Sequence, residues 1–230
     1  MQNAKTADAA SWIPDGLHPF ALDVGSIIPV GFAAYARVFH PFYRWTSTWQ
    51  LMPVRWGDIA AANNRTIAEE MQNLDMSVEP TQFSPSGEEL WNQQSRTGSM
   101  PREIAARLAP ILKSHTRTPE LCWFAAWNGW GGLRSRIRDP EAAMFSVPHR
   151  DLFLLHGPIN DVLTTLLDID SIYQSPTLWW PDDRAWCVAT EIDFTWSYVG
   201  GPVACIEQIL SDPELETVSS APTEGNFMQE

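Results

Sequence analysis

Apolar and polar positions trade places most sharply between residues 178 and 201, LWWPDDRAWCVATEIDFTWSYVGG. Leu178, Trp179 and Trp180 predict a short strand that Pro181 stops, and Asp182-Asp183 supply the turn. From Ala185 the alternation is strict. Trp186, Val188, Thr190, Ile192 and Phe194 fall on one face, and Cys187, Ala189, Glu191 and Asp193 on the other. That pattern predicts one longer strand, continued by Tyr198 and Val199 and ended by Gly200-Gly201.

Elsewhere two periods compete. Alternation and aromatic content predict strands at 21–28, 121–127 and 151–156, and favour one at 32–40, where Phe32, Tyr35 and Phe39 also fit one helical face. The helical period is clearest at 101–114, where Ile104, Leu108, Ile111 and Leu112 make one stripe and Pro110 predicts a kink. Asp58 opens a second stripe through Ile59, Ile67, Met71 and Leu74. Ser86-Gly-Glu-Glu89 reads as a capping box for a short helix, and Pro158 and Pro202 each open another. Without a βαβ rhythm, the elements predict an α+β fold: a mostly antiparallel sheet with helices packed on one face, as a single domain. The expected organisation is a disordered stretch at 1–11, a domain at 12–211, and an acidic mobile tail at 212–230.

Charge changes this picture at one end. The net charge is −13, and eight acids with no base follow Arg184, so eight of those thirteen charges lie in the last fifth of the chain. A negative field disfavours nucleic acid and anionic lipid and favours a basic protein partner. Twelve tryptophans in 230 residues suit a thick core or a recognition face. Cys122, Cys187 and Cys205 sit in apolar surroundings with no CxxC pair, which predicts reduced core thiols and a cytoplasmic location. No apolar signal core opens the sequence and no apolar run is long enough to span a bilayer.

Three constellations are candidates for chemistry. Asp182, Asp183, Arg184, Glu191 and Asp193 lie near Trp179 and Trp180; if the turn folds over the strand, Arg184 forks onto Glu191 or Asp193. Two carboxylates about 7 Å apart on one strand face suit acid–base work in a pocket, or a solvated binding face. Arg134, Arg136 and Arg138 share a face if extended and are the candidate anion site. Trp45, Trp49 and Trp56 mark a core stripe if helical, the expectation, and a recognition surface if in a loop. The five scattered histidines, with no HExxH, GxSxG or phosphate-loop pattern, point to no metal, cofactor or catalytic set.

The strings DVGSIIPVGFAAYARVFHP, LCWFAAWNGW and LWWPDDRAWCVATEIDFTWSYVGG, in that order, resemble a family of bacterial proteins of similar length that has no assigned reaction. The resemblance covers about a third of the chain and implies a bacterial cytosolic protein, with no residue role to carry over. In character the chain is similar to toxin-neutralising immunity proteins. The leading expectation is a non-enzymatic interaction protein with an acidic, tryptophan-rich surface. The alternative is a small-molecule binder or enzyme with a tryptophan-walled pocket at Glu191 and Asp193.

Overall fold

Strand β5 (Cys122–Trp127) sets the layers of the molecule. Its alternation sends Cys122, Phe124 and Ala126 to one core and Trp123, Ala125 and Trp127 to another, so both faces of the strand are covered. The computed structural model describes residues 1–67 and 82–225. Around β5 run β1 (Gln2–Asn3), β2 (Ala34–Phe39), β6 (Met144–Val147), β7 (Arg150–Gly157), β8 (Leu178–Pro181), β9 (Cys187–Ala189), β10 (Trp196–Gly201) and β11 (Thr217–Ser220). The sheet order is β1-β7-β5-β8-β9-β10-β2-β11, with β6 also on β7. Every ladder between these strands is antiparallel, as expected for the α+β class. A separate hairpin joins β3 (Phe42–Trp45) and β4 (Leu51–Val54).

The helices divide between the faces. The two longest, α3 (Arg102–Ser114) and α4 (Val203–Leu210), share one face and bury Ile104, Leu108, Leu112, Cys205, Ile206 and Ile209 against Phe124, Trp179 and Val188. Pro110 lies within α3 on its exposed side, where a ring displaces no packing. The opposite face is covered by α1 (Trp12–Asp15), α2 (Trp56–Ala62) and the loops between them, around Ile13, Trp56, Trp180 and Tyr198. Here large rings meet edge to face, as Trp12 does with Trp180 at 5.9 Å between centroids.

Several expected elements differ. The long strand from Ala185 is two strands, β9 and β10, folded back on each other so that Tyr198 faces Ala189. The Thr190 amide bonds the Thr177 carbonyl in the same register, and the Phe194 amide then closes a turn onto the Glu191 carbonyl. The alternation of residues 186–194 therefore runs on through a turn, which side-chain pattern alone does not mark. Residues 21–28, expected as a strand, form a turn and a 3-10 helix, Val24–Ser26, while 86–91 stay non-helical. Pro158 opens a 3-10 helix, Ile159–Leu163. The stripe positions Met71 and Leu74 lie outside the described residues.

Both ends depart from expectation too. In the stretch 1–11, Gln2 and Asn3 pair with His156 and Leu155, and Ala4 and Ala10 are buried. Strand pairing uses backbone groups, so a polar dipeptide can supply it. In the segment 212–225, β11 pairs with β2, and Leu215 is buried. The anchor is a carboxylate: Glu216 accepts the N–H groups of Trp56 and Gly57 at 2.7 Å each. No side chain caps α2 locally, so this distant acid satisfies its first donors. Acidity read as solvation is here a structural contact. Glu230 and its four preceding residues are outside the described chain.

Candidate functional site

The β8–β9 register separates the first predicted constellation. Leu178 pairs with Ala189 at one end of the hairpin, which puts Glu191 and Asp193 there, whereas residues 182–184 turn at the other end. Arg184 accordingly does not reach Glu191 or Asp193; its guanidinium lies 5.5 Å from the Trp12 ring. Asp182 accepts the Trp123 indole N–H at 2.9 Å, and Asp183 accepts the Thr116 hydroxyl and the Arg117 amide at 2.7 and 2.8 Å. Both acids staple the turn to the 116–123 segment. Trp179 and Trp180 are buried on opposite faces, so neither walls a pocket with Glu191.

The arginine stripe does not form either, because residues 134–138 are turns and not a strand. Arg134 bonds Asp170 and the Thr165 carbonyl, and Arg138 bonds the carbonyls of Asn128 and Trp130. Arg136 is exposed in the same turn. Of the third set, Trp56 is buried, while Trp45 and Trp49 stand exposed on the β3–β4 hairpin, Trp49 at 85%. The hairpin, not a helix, decides that difference.

What the fold does build is a pocket of about 90 Å³ at the Glu191 end of β8 and β9. Its walls are mostly apolar: Leu17, Phe20 and Ile27 from the loop after α1, Leu152 from β7, and Leu178, Ala189 and Phe194. Polar groups are few and close together. Arg150, first residue of β7, forms an ion pair with Glu191, and the two side chains are only 14% and 13% exposed. Glu191 Oε1 is buried and accepts no hydrogen bond. Asp193 also lines the pocket but is exposed. So the sequence named two of the polar residues, Glu191 and Asp193, and missed the partner that defines them.

The rim carries two strained residues. Ala21 has φ of 56° and His149 has φ of 63°, both in the left-handed region that costs a side chain about 1 kcal/mol or more. His149 is the second residue of the Pro148-His149 turn joining β6 to β7, a place where glycine would sit without strain. The Phe20 ring packs on His149 at 4.6 Å and lies 5.9 Å from the Arg150 guanidinium. Contacts across the rim thus hold both turns in place. The Pro-His turn ahead of an alternating run was the available signal for Arg150.

Behind the pocket runs a sealed polar chain. The Thr190 and Ser197 hydroxyls are 2.7 Å apart, and Ser197 meets His40 Nε2 at 2.9 Å. Burial lowers the His40 ring to about 3, which keeps it neutral and linked as a structural post. Burial likewise pushes the Cys122 and Cys205 thiols up to about 12, and that of Cys187 further. All three are free and buried, so none presents a thiolate.

A wider cleft of about 710 Å³ lies between the β3–β4 hairpin, α3 and residues 213–216. Its charged groups are largely spent on one another: Arg107 bonds Asp212, Tyr43 bonds Glu103, and Arg55 bonds the Pro213 and Leu215 carbonyls. Among the described residues no cluster of three or more His, Cys, Asp and Glu side chains is arranged to hold a metal, and no helix is long and apolar enough to cross a membrane. No family model, curated protein or solved structure matches the chain.

Proposed function

We propose that this protein binds a small ligand with an apolar body in the pocket between the loop after α1 and strands β7, β8 and β9. The observation that carries the reading is the combination of an apolar wall with one buried ion pair, Arg150–Glu191, and a strained rim. Concave apolar sites with a few convergent polar groups are where small molecules bind, and backbone strain concentrates at such sites. Binding rather than catalysis is favoured because the neighbouring Ser197, His40 and Cys187 are sealed in the core. A titration with benzene followed by NMR tests this. Shifts should concentrate at Leu17, Leu152, Leu178 and Phe194, and Ala189→Leu should abolish them by filling the space. Shifts scattered over the surface, or none, would sink the reading.

A second reading rests on the β3–β4 hairpin, where Trp45, Trp49, Leu51 and Met52 are exposed together. Apolar rings held out on a hairpin suit contact with another protein, and the chain's −13 charge favours a basic one in the cytoplasm. This retains the interaction role but moves it from the acidic 178–201 stretch to the hairpin. Replacing Trp49 and Met52 with serine should weaken capture of such a partner, while Glu191→Gln should leave it unchanged. The reverse pattern would return the role to the acidic stretch.

A further inference from the structure

We infer that the ligand of this pocket is uncharged and carries a hydrogen-bond acceptor, as an amide does; the inference rests on the pocket reading above. The charged groups of the wall are Arg150 and Glu191, which cancel, and Asp193, which is exposed. A ligand carboxylate would have to compete with Glu191 for Arg150. A ligand ammonium would have to compete with Arg150 for Glu191. Either leaves one buried charge uncompensated, and burying an unpaired ion costs far more than an exposed carboxylate such as Asp193 can return through solvent.

The unused hydrogen-bonding capacity of the pair points the same way. Arg150 donates to Glu191 from Nη1, and its Nε and Nη2 donate to no described residue. Glu191 accepts on Oε2, and its Oε1 has almost no accessible surface, so it offers the pocket nothing. The pair therefore presents spare donors without a spare charge. A carbonyl oxygen on an uncharged ligand complements that arrangement by accepting from Arg150. The remainder of the ligand lies against Leu17, Ile27, Leu152 and Leu178.

Isothermal titration of the full-length protein at neutral pH with hexanamide, hexanoate and hexylamine tests the inference, since the three share one apolar chain. Hexanamide should bind about tenfold or more tightly than either charged probe. Glu191→Gln, which frees Arg150, should invert the order in favour of hexanoate, and Arg150→Gln should invert it in favour of hexylamine. Should either single variant fail to fold, the double change Arg150→Gln/Glu191→Gln keeps the site neutral and should retain the preference for hexanamide. A charged probe binding wild type as tightly as the amide overturns the inference while leaving the pocket reading intact. Failure of all three probes, together with loss of the benzene response, overturns both.

Discussion

On the face that α3 and α4 cover, Trp186 gives its indole N–H to the Leu112 carbonyl at 2.9 Å, an acceptor in the last turn of α3 that also takes the His115 amide. On the opposite face Trp56 gives its indole N–H to the His40 carbonyl at 2.8 Å, but the indole N–H groups of Trp12, Trp91 and Trp180 are buried without an acceptor. Trp130 shares that lack at the margin of the helical face. The difference follows from what does the covering. Amphipathic helices bring side chains at fixed spacing and carbonyls at known ends, so rings and donors both find places. Short helices and loops fill space with large rings instead, and leave several of their donors unmatched and a pocket open. The looser face is the one that holds the pocket.

The largest test of that contrast is the segment that touches both faces. Ending the chain after Ser211 removes Leu215 from the helical core, Val218 from the other, and the Glu216 carboxylate from α2. Loss of the cooperative thermal transition is expected. Stability retained within about 1 kcal/mol would mean the segment is a passenger. Next in size, Trp186→Phe should cost about 2–3 kcal/mol in urea melts, because it leaves space and removes a satisfied donor. Trp180→Phe should cost under about 1 kcal/mol, since it also removes an unsatisfied one. Equal losses would erase the distinction between the faces.

A smaller effect is expected from the turn stapled by Asp183. Burial alone would raise its carboxyl, but the Arg117 and Ala185 amides, the Thr116 hydroxyl and the Arg117 charge together hold it below its ordinary 3.8. A lowered carboxyl stabilises the fold fully above the ordinary value, and the gain is lost as pH falls below it. Acid melts of Asp183→Asn should therefore converge with wild type at low pH and separate above pH ~4. A gap that persists at the acid end would assign the effect to shape. Smallest of all, His149→Gly relieves the positive φ and forfeits the Phe20 contact, so stability should move by less than about 1 kcal/mol. Benzene affinity should fall with the rim loosened; an unchanged affinity would separate the rim from the pocket.

Legibility in the sequence followed the length of the repeat. At 34–39 alternation competed with a helical spacing of aromatic residues, while the α3 stripe spans more than two turns and was readable, as was β5. The turn at 190–195 was not, because Thr190, Ile192 and Phe194 keep the strand rhythm while hydrogen bonds, invisible in the pattern, bend the chain. Trp45 and Trp56 have the same chemistry, and only the hairpin separates the exposed from the buried ring. Glu191 stood out as an acid near tryptophans. Its partner Arg150 is 41 residues away, a pairing that register alone decides.

The cap on α2 also has a consequence in time. Its donors at Trp56 and Gly57 wait for a carboxylate about 160 residues further on, and strand β2 waits for β10 and β11 from the same late stretch. At about 5–20 residues per second on the ribosome, that wait is roughly 10–30 s. Until β10 and β11 arrive, both edges of β2, which carries Tyr35 and Phe39, stay unpaired. The first third of this protein therefore emerges with an open strand edge that only residues 196–220 close.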